Sequence, residues 1–197
     1  MAQTLKNHVA LITGSTTGLG FGIAKVLGLA GSKIIMNYYN DQERANRAYS
    51  DLTAMGCEVT LVRGNAIDEK SVNEIVKEGE EKFGPIDILV PNATPDQPLR
   101  PIEEYDWDFY QQMLDFFVKS PYLLTRATIE NMKKSKWGRI INISSEVYQL
   151  SVSPFSAYVS AKGGQIGWTR SMSKELAPYG ITVNTVNPGW IPTERHD

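Results

Sequence analysis

The stretch Val9-Ala-Leu-Ile-Thr-Gly-Ser-Thr-Thr-Gly-Leu-Gly20 decides the fold. Its first five residues form a short apolar run, which is typical of a buried parallel strand. Three glycines follow, and a helical pattern then runs from Phe21 to Ala30 and stops at Gly31. Glycines let the backbone turn tightly and approach a ligand, and the free N–H groups at a helix start suit a pyrophosphate. The context favours a dinucleotide-binding loop over a purely structural turn.

Strand-like and helix-like segments alternate from this loop almost to the end of the chain. Further strands are predicted at 33–39, 58–63, 86–90, 139–144 and 181–186, and helices at 41–55, 68–83, 107–134 and 156–179. This alternation predicts an α/β fold, a Rossmann-like doubly wound parallel sheet with helices on both faces. We expect a single domain over residues 1–197. Residues 187–197 are too few for another helix and strand, so we expect an incomplete C-terminus.

Composition restricts the classes of partner. The 197 residues are 42% hydrophobic, and a net charge of −2 shows no basic bias towards nucleic acid or anionic membranes. No signal peptide is recognisable, and no apolar run approaches the ~20 residues that span a bilayer. Cys57 is the only cysteine, and the two histidines lack metal-ligand spacing. We expect a cytoplasmic protein without a metal site, nucleic-acid partner or membrane contact.

A second pattern lies on the helix predicted at 156–179. Tyr158 and Lys162 are four residues apart, so they lie on the same helix face. An ammonium beside a phenol favours the phenolate and lowers a pKa that starts near ~10. Such a tyrosine can exchange a proton with a substrate hydroxyl or carbonyl. The pair therefore indicates an acid/base site.

Five ordered motifs resemble those of the short-chain dehydrogenase/reductase family, especially its 3-oxoacyl reductase-like and sugar dehydrogenase-like members. They are the glycine loop, Asn92-Ala93, Ser144-Ser145, Tyr158 with Lys162, and Asn187-Pro188-Gly189. The resemblance covers nearly the whole chain. It implies an NAD(P)-dependent oxidoreductase that interconverts a small-molecule secondary alcohol and a ketone. It also implies that the last strand of the family sheet is missing here, and that helices 107–134 and 156–179 form a homo-oligomer, a dimer or tetramer.

The resemblance assigns roles to individual residues. Tyr158 would be the acid/base, Lys162 would bind the nicotinamide ribose, and Ser145 would hold the substrate oxygen. Ser145 is otherwise an ordinary loop hydroxyl, and Thr193 either binds the carboxamide or is an ordinary loop residue. The cofactor-binding positions that the family implies are Gly14, Ser15, Thr17, Gly18, Leu19, Gly20, Tyr38, Asn65, Ala66, Asn92, Ala93, Tyr158, Lys162, Pro188, Gly189, Ile191 and Thr193.

The residues expected around the adenosine leave NAD and NADP open, with NADP favoured. An acidic residue at the end of the second strand would bind the ribose 2′-hydroxyl of NAD, but Tyr38 occupies that position. Asn65 replaces the acidic residue that usually meets the adenine. No carboxylate at these two positions repels a 2′-phosphate. Arg44 is either a phosphate partner or a solvated helix arginine.

Several positions depart from the family pattern. Phe117 stands where the family has an asparagine that helps to hold a water on the proton path, and phenylalanine cannot hydrogen-bond. Pro91 and Thr94 replace asparagine and glycine in the loop after the fourth strand. Either another group or water takes over the role of the asparagine, or turnover is slow. The alternative function is therefore a catalytically weak nucleotide-binding regulatory protein. Pro121 should also kink the long helix.

Overall fold

The computed structural model describes residues 4–193. Within that range helices and strands alternate as the sequence predicts. The strands are β1 Val9–Ile12, β2 Lys33–Tyr38, β3 Val59–Arg63, β4 Ile88–Val90, β5 Gly138–Ile143 and β6 Ile181–Val186. The α-helices are α1 Gly18–Leu29, α2 Gln42–Ala54, α3 Glu69–Phe83, α4 Trp107–Leu114, α5 Ser120–Ser135, α6 Val147–Leu150 and α7 Ser156–Leu176. None of the helices described is both long and apolar enough to cross a membrane.

The six strands form one parallel sheet in the order β3-β2-β1-β4-β5-β6. The chain therefore builds outwards from β1 in one direction and then returns to continue from β4 in the other. This is the doubly wound arrangement that the sequence predicts, and that prediction is confirmed. Ligands of such sheets bind outside the carboxyl ends of the strands where the order reverses, which here lies between β1 and β4.

Each face of the sheet carries its own apolar cluster. Alternate residues of β1 point to opposite faces, so Val9 and Leu11 belong to one cluster and Ala10 and Ile12 to the other. All four are buried. Burial on both faces explains why β1 is a continuous apolar run and not an alternating pattern. The glycine loop directly follows β1 and therefore lies at the carboxyl edge of the sheet.

The long helix predicted at 107–134 is two helices joined by a π-helical turn, Asp115–Lys119. The Ser120 amide donates to the Asp115 carbonyl, five residues back. Pro121 follows directly, as the second residue of α5, and has no N–H to donate to the preceding turn. The distortion expected at Pro121 is thus present one turn earlier, as a widened turn and not as a break. Phe117 lies at the centre of this turn.

Strand β6 lies at one edge of the sheet. It pairs with β5 over its full length, and no other described strand pairs with its outer side. Its six residues, Ile-Thr-Val-Asn-Thr-Val, carry no charge. The side chains of Thr182, Asn184 and Val186 are exposed.

Candidate active site

The loop between β1 and α1 has a shape that requires glycine. Gly14 and Gly18 have φ of 60° and 51°, in the left-handed region that side chains disfavour. A β-carbon on Gly20 would lie 2.3 Å from the Gly14 carbonyl oxygen. Helix α1 begins at Gly18, three residues earlier than the sequence predicts, so two of the three glycines belong to its first turn.

This loop fits a dinucleotide phosphate. The twelve-residue helix α1 begins in it, and the first turn of the helix has no acidic residue to neutralise its positive end. The absent β-carbons leave the backbone N–H groups approachable. Thr17 is the N-cap residue of α1, and Leu19 is half-buried beside it.

The loop after β4 is bonded directly to the glycine loop. The Asn92 side-chain amide donates to the carbonyls of Thr13 and Gly14, at 3.0 and 3.1 Å. The backbone amides of Asn92 and Ala93 both donate to the Thr13 hydroxyl, at 2.9 and 3.0 Å. Pro91 and Thr94 flank these contacts without removing them. The loop after β4, although it departs from the family pattern at these two residues, therefore keeps its hydrogen bonds to the glycine loop.

The segment after β6 returns across the same edge of the sheet. The Glu146 amide donates to the Pro188 carbonyl at 3.2 Å, and a β-carbon on Gly189 would lie 3.0 Å from the Glu146 carboxylate. Ile191 is half-buried. Thr193 lies against Gly18, since a β-carbon there would be 3.3 Å from the Thr193 methyl. The structure thus brings Thr193 to the glycine loop, and Pro188 and Gly189 to Glu146 in the loop after β5.

The residues predicted around the adenosine lie at the ends of β2 and β3. The Tyr38 hydroxyl donates to the Gln42 side chain. The Ser15 hydroxyl is buried and accepts from the Asn37 amide, so its visible role is to tie the glycine loop to β2. The Asn65 side chain accepts from the Ile67 amide at 3.2 Å, and Ala66 between them is buried.

Tyr158 and Lys162 lie on the inner face of α7, as their spacing predicts. The Lys162 Nζ is 5.5 Å from the centroid of the Tyr158 ring. Two phenylalanine rings enclose the phenol: Phe155 at 4.7 Å between centroids and Phe117 at 5.2 Å. Both Tyr158 and Lys162 are at least nine-tenths buried. Proton exchange at this site would therefore take place in a largely dry environment, where charges interact strongly.

The Lys162 ammonium has little compensation for its burial. Its Nζ donates to the Ile143 carbonyl oxygen at 2.6 Å, at the end of β5. No carboxylate of residues 4–193 lies within 4 Å of it. Desolvation consequently lowers the pKa of Lys162 from its ordinary value to about 7.

Ser145 follows Ser144 in the loop that leads from β5 to α6. The Ser145 hydroxyl accepts from the Val147 amide at 3.4 Å, a long contact, and the side chain is half-buried. By contrast the Ser144 side chain is buried. The Ile143 carbonyl that accepts from Lys162 lies two residues before Ser145. The end of β5 therefore brings Ser145 to the end of the sheet where Lys162 and Tyr158 lie.

Sequence reasoning missed two contributors to this site. Thr13 appeared only as the last residue of an apolar strand, yet its buried hydroxyl holds two amides of the neighbouring loop. A single polar residue ending a buried strand was the available signal. The Ile143 carbonyl is a backbone group, and no side-chain pattern could have revealed its contact with Lys162.

Comparisons with known proteins agree with this geometry. The family described as short chain dehydrogenase matches residues 8–197. The chain is 35% identical over 193 residues to 2-dehydro-3-deoxy-D-gluconate 5-dehydrogenase of Formosa agariphila, covering 97% of this chain and 72% of that protein. It is 36% identical over 192 residues to a 3-oxoacyl-[acyl-carrier-protein] reductase of Synechocystis sp., covering 96% and 76%.

A solved structure gives the same result. A double mutant of a Serratia marcescens short-chain dehydrogenase/reductase superposes with a TM-score of 0.89 at 31% identity, over 98% of this chain and 78% of that chain. The chain therefore belongs to the short-chain dehydrogenase family and is an NAD(P)-dependent oxidoreductase acting between alcohols and ketones.

Proposed function

We propose that Tyr158 is the acid/base of this oxidoreductase, that Lys162 supports it electrostatically, and that Ser145 holds the substrate oxygen. The observation that carries the proposal is the placement of the Lys162 Nζ, 5.5 Å from the Tyr158 ring centroid and bonded to the end of β5. Two groups four residues apart in sequence thus share one buried pocket with the strand that leads to Ser145.

The chain's residues would divide the chemistry as follows. In the reducing direction Tyr158 gives its proton to the carbonyl oxygen and becomes a phenolate. The Lys162 ammonium, 5.5 Å from the Tyr158 ring centroid, would stabilise that negative charge. The Ser145 hydroxyl donates a hydrogen bond to the same oxygen. In the oxidising direction the phenolate takes the proton back from the alcohol. When bound, the nicotinamide supplies or accepts the hydride.

The dinucleotide would be held by the two loops already described. The first turn of α1, with Gly14, Gly18 and Gly20, would receive the pyrophosphate. Asn92 would act mainly by fixing this loop, because its amide group is already bonded to two of the loop's carbonyls. We propose that the remaining predicted cofactor contacts lie along the same edge, at Ser15, Thr17, Leu19, Tyr38, Asn65, Ala66, Ala93, Pro188, Gly189, Ile191 and Thr193.

We further propose that the preferred cofactor is NADP. Arg63 lies in register with Tyr38, and its Nε donates to the Tyr39 carbonyl at 3.1 Å, just beyond the end of β2. No carboxylate of residues 4–193 pairs with it, whereas Arg44 forms an ion pair with Asp41 at 3.6 Å. Arg63 is therefore the better candidate for a 2′-phosphate, which requires a cation near this strand end.

For the substrate we propose a 3-oxoacyl thioester or a keto-sugar acid. The relatives whose names include such substrates are the 3-oxoacyl-[acyl-carrier-protein] reductase and the 2-dehydro-3-deoxy-D-gluconate 5-dehydrogenase described above. Both substrates present a ketone that a tyrosine acid could protonate. The loops at the carboxyl edge mix polar and aromatic residues, namely Glu146, Tyr148, Gln149, Phe155 and Trp190, which suits either class.

We propose a homo-oligomer that uses the outer faces of α4, α5 and α7. Trp107 and Tyr122 support this, because both are large aromatic residues with exposed side chains on α4 and α5. Light scattering of the purified chain tests it. A species of two or four copies is the expected result, and a monomer at all concentrations would refute the proposal.

The decisive test of the catalytic proposal is Tyr158→Phe, assayed for hydride transfer over a panel of 3-oxoacyl thioesters and keto-sugar acids. We expect a loss of roughly 10²-fold or more in kcat, with cofactor binding retained. Tyr179→Phe, at the opposite edge of the sheet, is the matched control and should retain wild-type activity. If wild type and Tyr158→Phe are equally inactive while both bind the cofactor, the chain is a nucleotide-binding protein without this chemistry.

A further inference from the structure

Phe117 touches both members of the acid/base pair. The Lys162 Nζ lies 3.8 Å from the centroid of the Phe117 ring, and the Phe117 and Tyr158 rings meet at 5.2 Å with an interplanar angle of 75°. Phe117 is only 3% exposed. One ring thus contacts the ammonium and the phenol together.

The backbone conformation holds the Phe117 ring close to Lys162 and Tyr158. Phe117 is the middle residue of the π-helical turn Asp115–Lys119, and such turns inside helices occur frequently at functional sites. The turn packs against α7, and the facing side chains Met113, Ala157 and Ala161 form one apolar cluster with Phe117 and Tyr158. The ring therefore cannot swing away without disturbing this cluster.

An aromatic face attracts a cation because its π electrons carry a negative partial charge. The contact is strongest where water is excluded, as it is here. The other visible partners of the ammonium are the Ile143 carbonyl and, at 5.5 Å, the Tyr158 ring. The ionisable groups on the elements around it include Tyr158, Arg170, Lys174 and Glu175 on α7, Asp108 and Tyr110 on α4, Asp115 and Lys119 on the turn, and Glu146 and Tyr148 after β5. No carboxylate of residues 4–193 lies within 4 Å of the ammonium.

We propose that Phe117 is a positioning residue that holds the Lys162 ammonium in its charged form beside Tyr158 by a cation–π contact. This rests on the proposed function of Tyr158 and Lys162. The residue that the sequence pattern presents as a defect would then be part of the working site. Phenylalanine neither donates nor accepts a proton, so the proton exchanged by Tyr158 would not leave through the side chain at position 117.

The first experiment measures the Lys162 pKa directly, by NMR titration of ¹³C-labelled lysine in the cofactor-free protein, with Lys162→Met to assign the signal. Phe117→Leu keeps an apolar side chain but removes the ring face. We expect it to lower the Lys162 pKa by roughly 0.5 to 1.5 units. Phe117→Tyr keeps a ring and should leave that pKa close to the wild-type value. Phe116→Leu, on the same turn, is the matched control.

The second experiment follows activity. In ketone reduction, Lys162 must be charged to stabilise the phenolate that forms. The kcat for reduction should therefore fall as pH rises through the Lys162 pKa. In Phe117→Leu this fall in kcat should occur at lower pH. Phe117→Asn should also lose activity. Phe117→Met makes the same comparison if the leucine variant does not fold.

Two results would overturn the inference. One is a Lys162 pKa that is the same in Phe117→Leu, Phe117→Met and wild type. The other is a higher kcat in Phe117→Asn, which would show that the ring impairs the site. The titration needs neither substrate nor cofactor, so it can fail while hydride transfer succeeds, and the two proposals are tested separately.

Discussion

Gly20 and Asn92 approach so closely that a β-carbon on Gly20 would lie 2.5 Å from Nδ2 of the Asn92 side chain. The same carbon would collide with the Gly14 carbonyl at 2.3 Å, and both neighbours are bonded to each other. The contact between the two loops therefore requires glycine at this position.

Gly20→Ala should destabilise the protein by about 3 kcal/mol, because the clash is with backbone and with a bonded amide. It should also abolish dinucleotide binding. Gly22→Ala, two residues further along the same helix, meets no atom within 4 Å of its β-carbon. That variant should gain roughly 0.5–1 kcal/mol, since alanine is the better helix former. Chemical denaturation and cofactor titration of both variants check this, and equal stabilities would refute it.

Thr13→Val should cost about 2–4 kcal/mol of unfolding free energy, because it leaves the amides of Asn92 and Ala93 without their acceptor. Thr13→Ser keeps the hydroxyl and loses one methyl, so it should remain within about 1 kcal/mol of wild type. Urea denaturation of the two variants measures the difference. A serine variant as unstable as the valine variant would show that the methyl, not the hydroxyl, matters.

Lys162→Met should stabilise the cofactor-free protein at neutral pH. The pKa of Lys162 is about 7 in the folded chain, against 10.5 for an ordinary lysine. The unfolded chain therefore binds more protons between these values, so wild-type stability increases as pH rises from about 7 to 10.5. The burial penalty is fully present below about pH 7. We expect the variant to be more stable by a few kcal/mol at pH 6, and the gap to narrow at higher pH.

Denaturation curves at pH 6 and pH 9.5 test this expectation. Lys174→Met, an exposed lysine on the same helix, is the control and should show no such narrowing. A constant difference between wild type and Lys162→Met at both pH values would contradict the burial of a charged ammonium.

Arg63→Gln should raise the KM for NADPH about tenfold or more, the loss expected for one charge-assisted contact. The KM for NADH should change little, because NADH has no 2′-phosphate. Arg44→Gln should have the smaller effect on NADPH, since Arg44 already pairs with Asp41. Steady-state kinetics with both cofactors decides. A parallel loss with NADH would show that Arg63 acts through the fold.

The fold and the family were predictable from the sequence, and both are confirmed. The apolar run at Val9–Ile12 and the glycines after it determine a parallel strand, a tight turn and a helix through backbone geometry alone. Strands β2 and β4 follow from the same burial on two faces, whereas β6 alternates between buried and exposed residues over its first four positions. Helix ends were less predictable: α1 starts at Gly18 because the glycine loop and the first helical turn overlap.

The shared helix face of two candidate site residues was predictable from the sequence, but most of their contacts were not. Spacing along α7 placed Tyr158 and Lys162 on one face, but the roles of Ser145 and the cofactor residues remain predictions. The contact between Phe117 and Lys162 was not predicted. Residue type shows which hydrogen bonds a side chain cannot form, but not which cation the fold places against it. The π-helical turn has no period that a sequence window detects.

The outer side of β6 has a consequence for handling this polypeptide. A row of backbone amides and carbonyls there has no described strand beside it, and the six residues contain neither lysine nor proline to discourage another chain from adding on. If the outer side of β6 is exposed to solvent, the protein should form oligomers by strand addition as its concentration rises. If that side is covered, no such concentration-dependent oligomers should form.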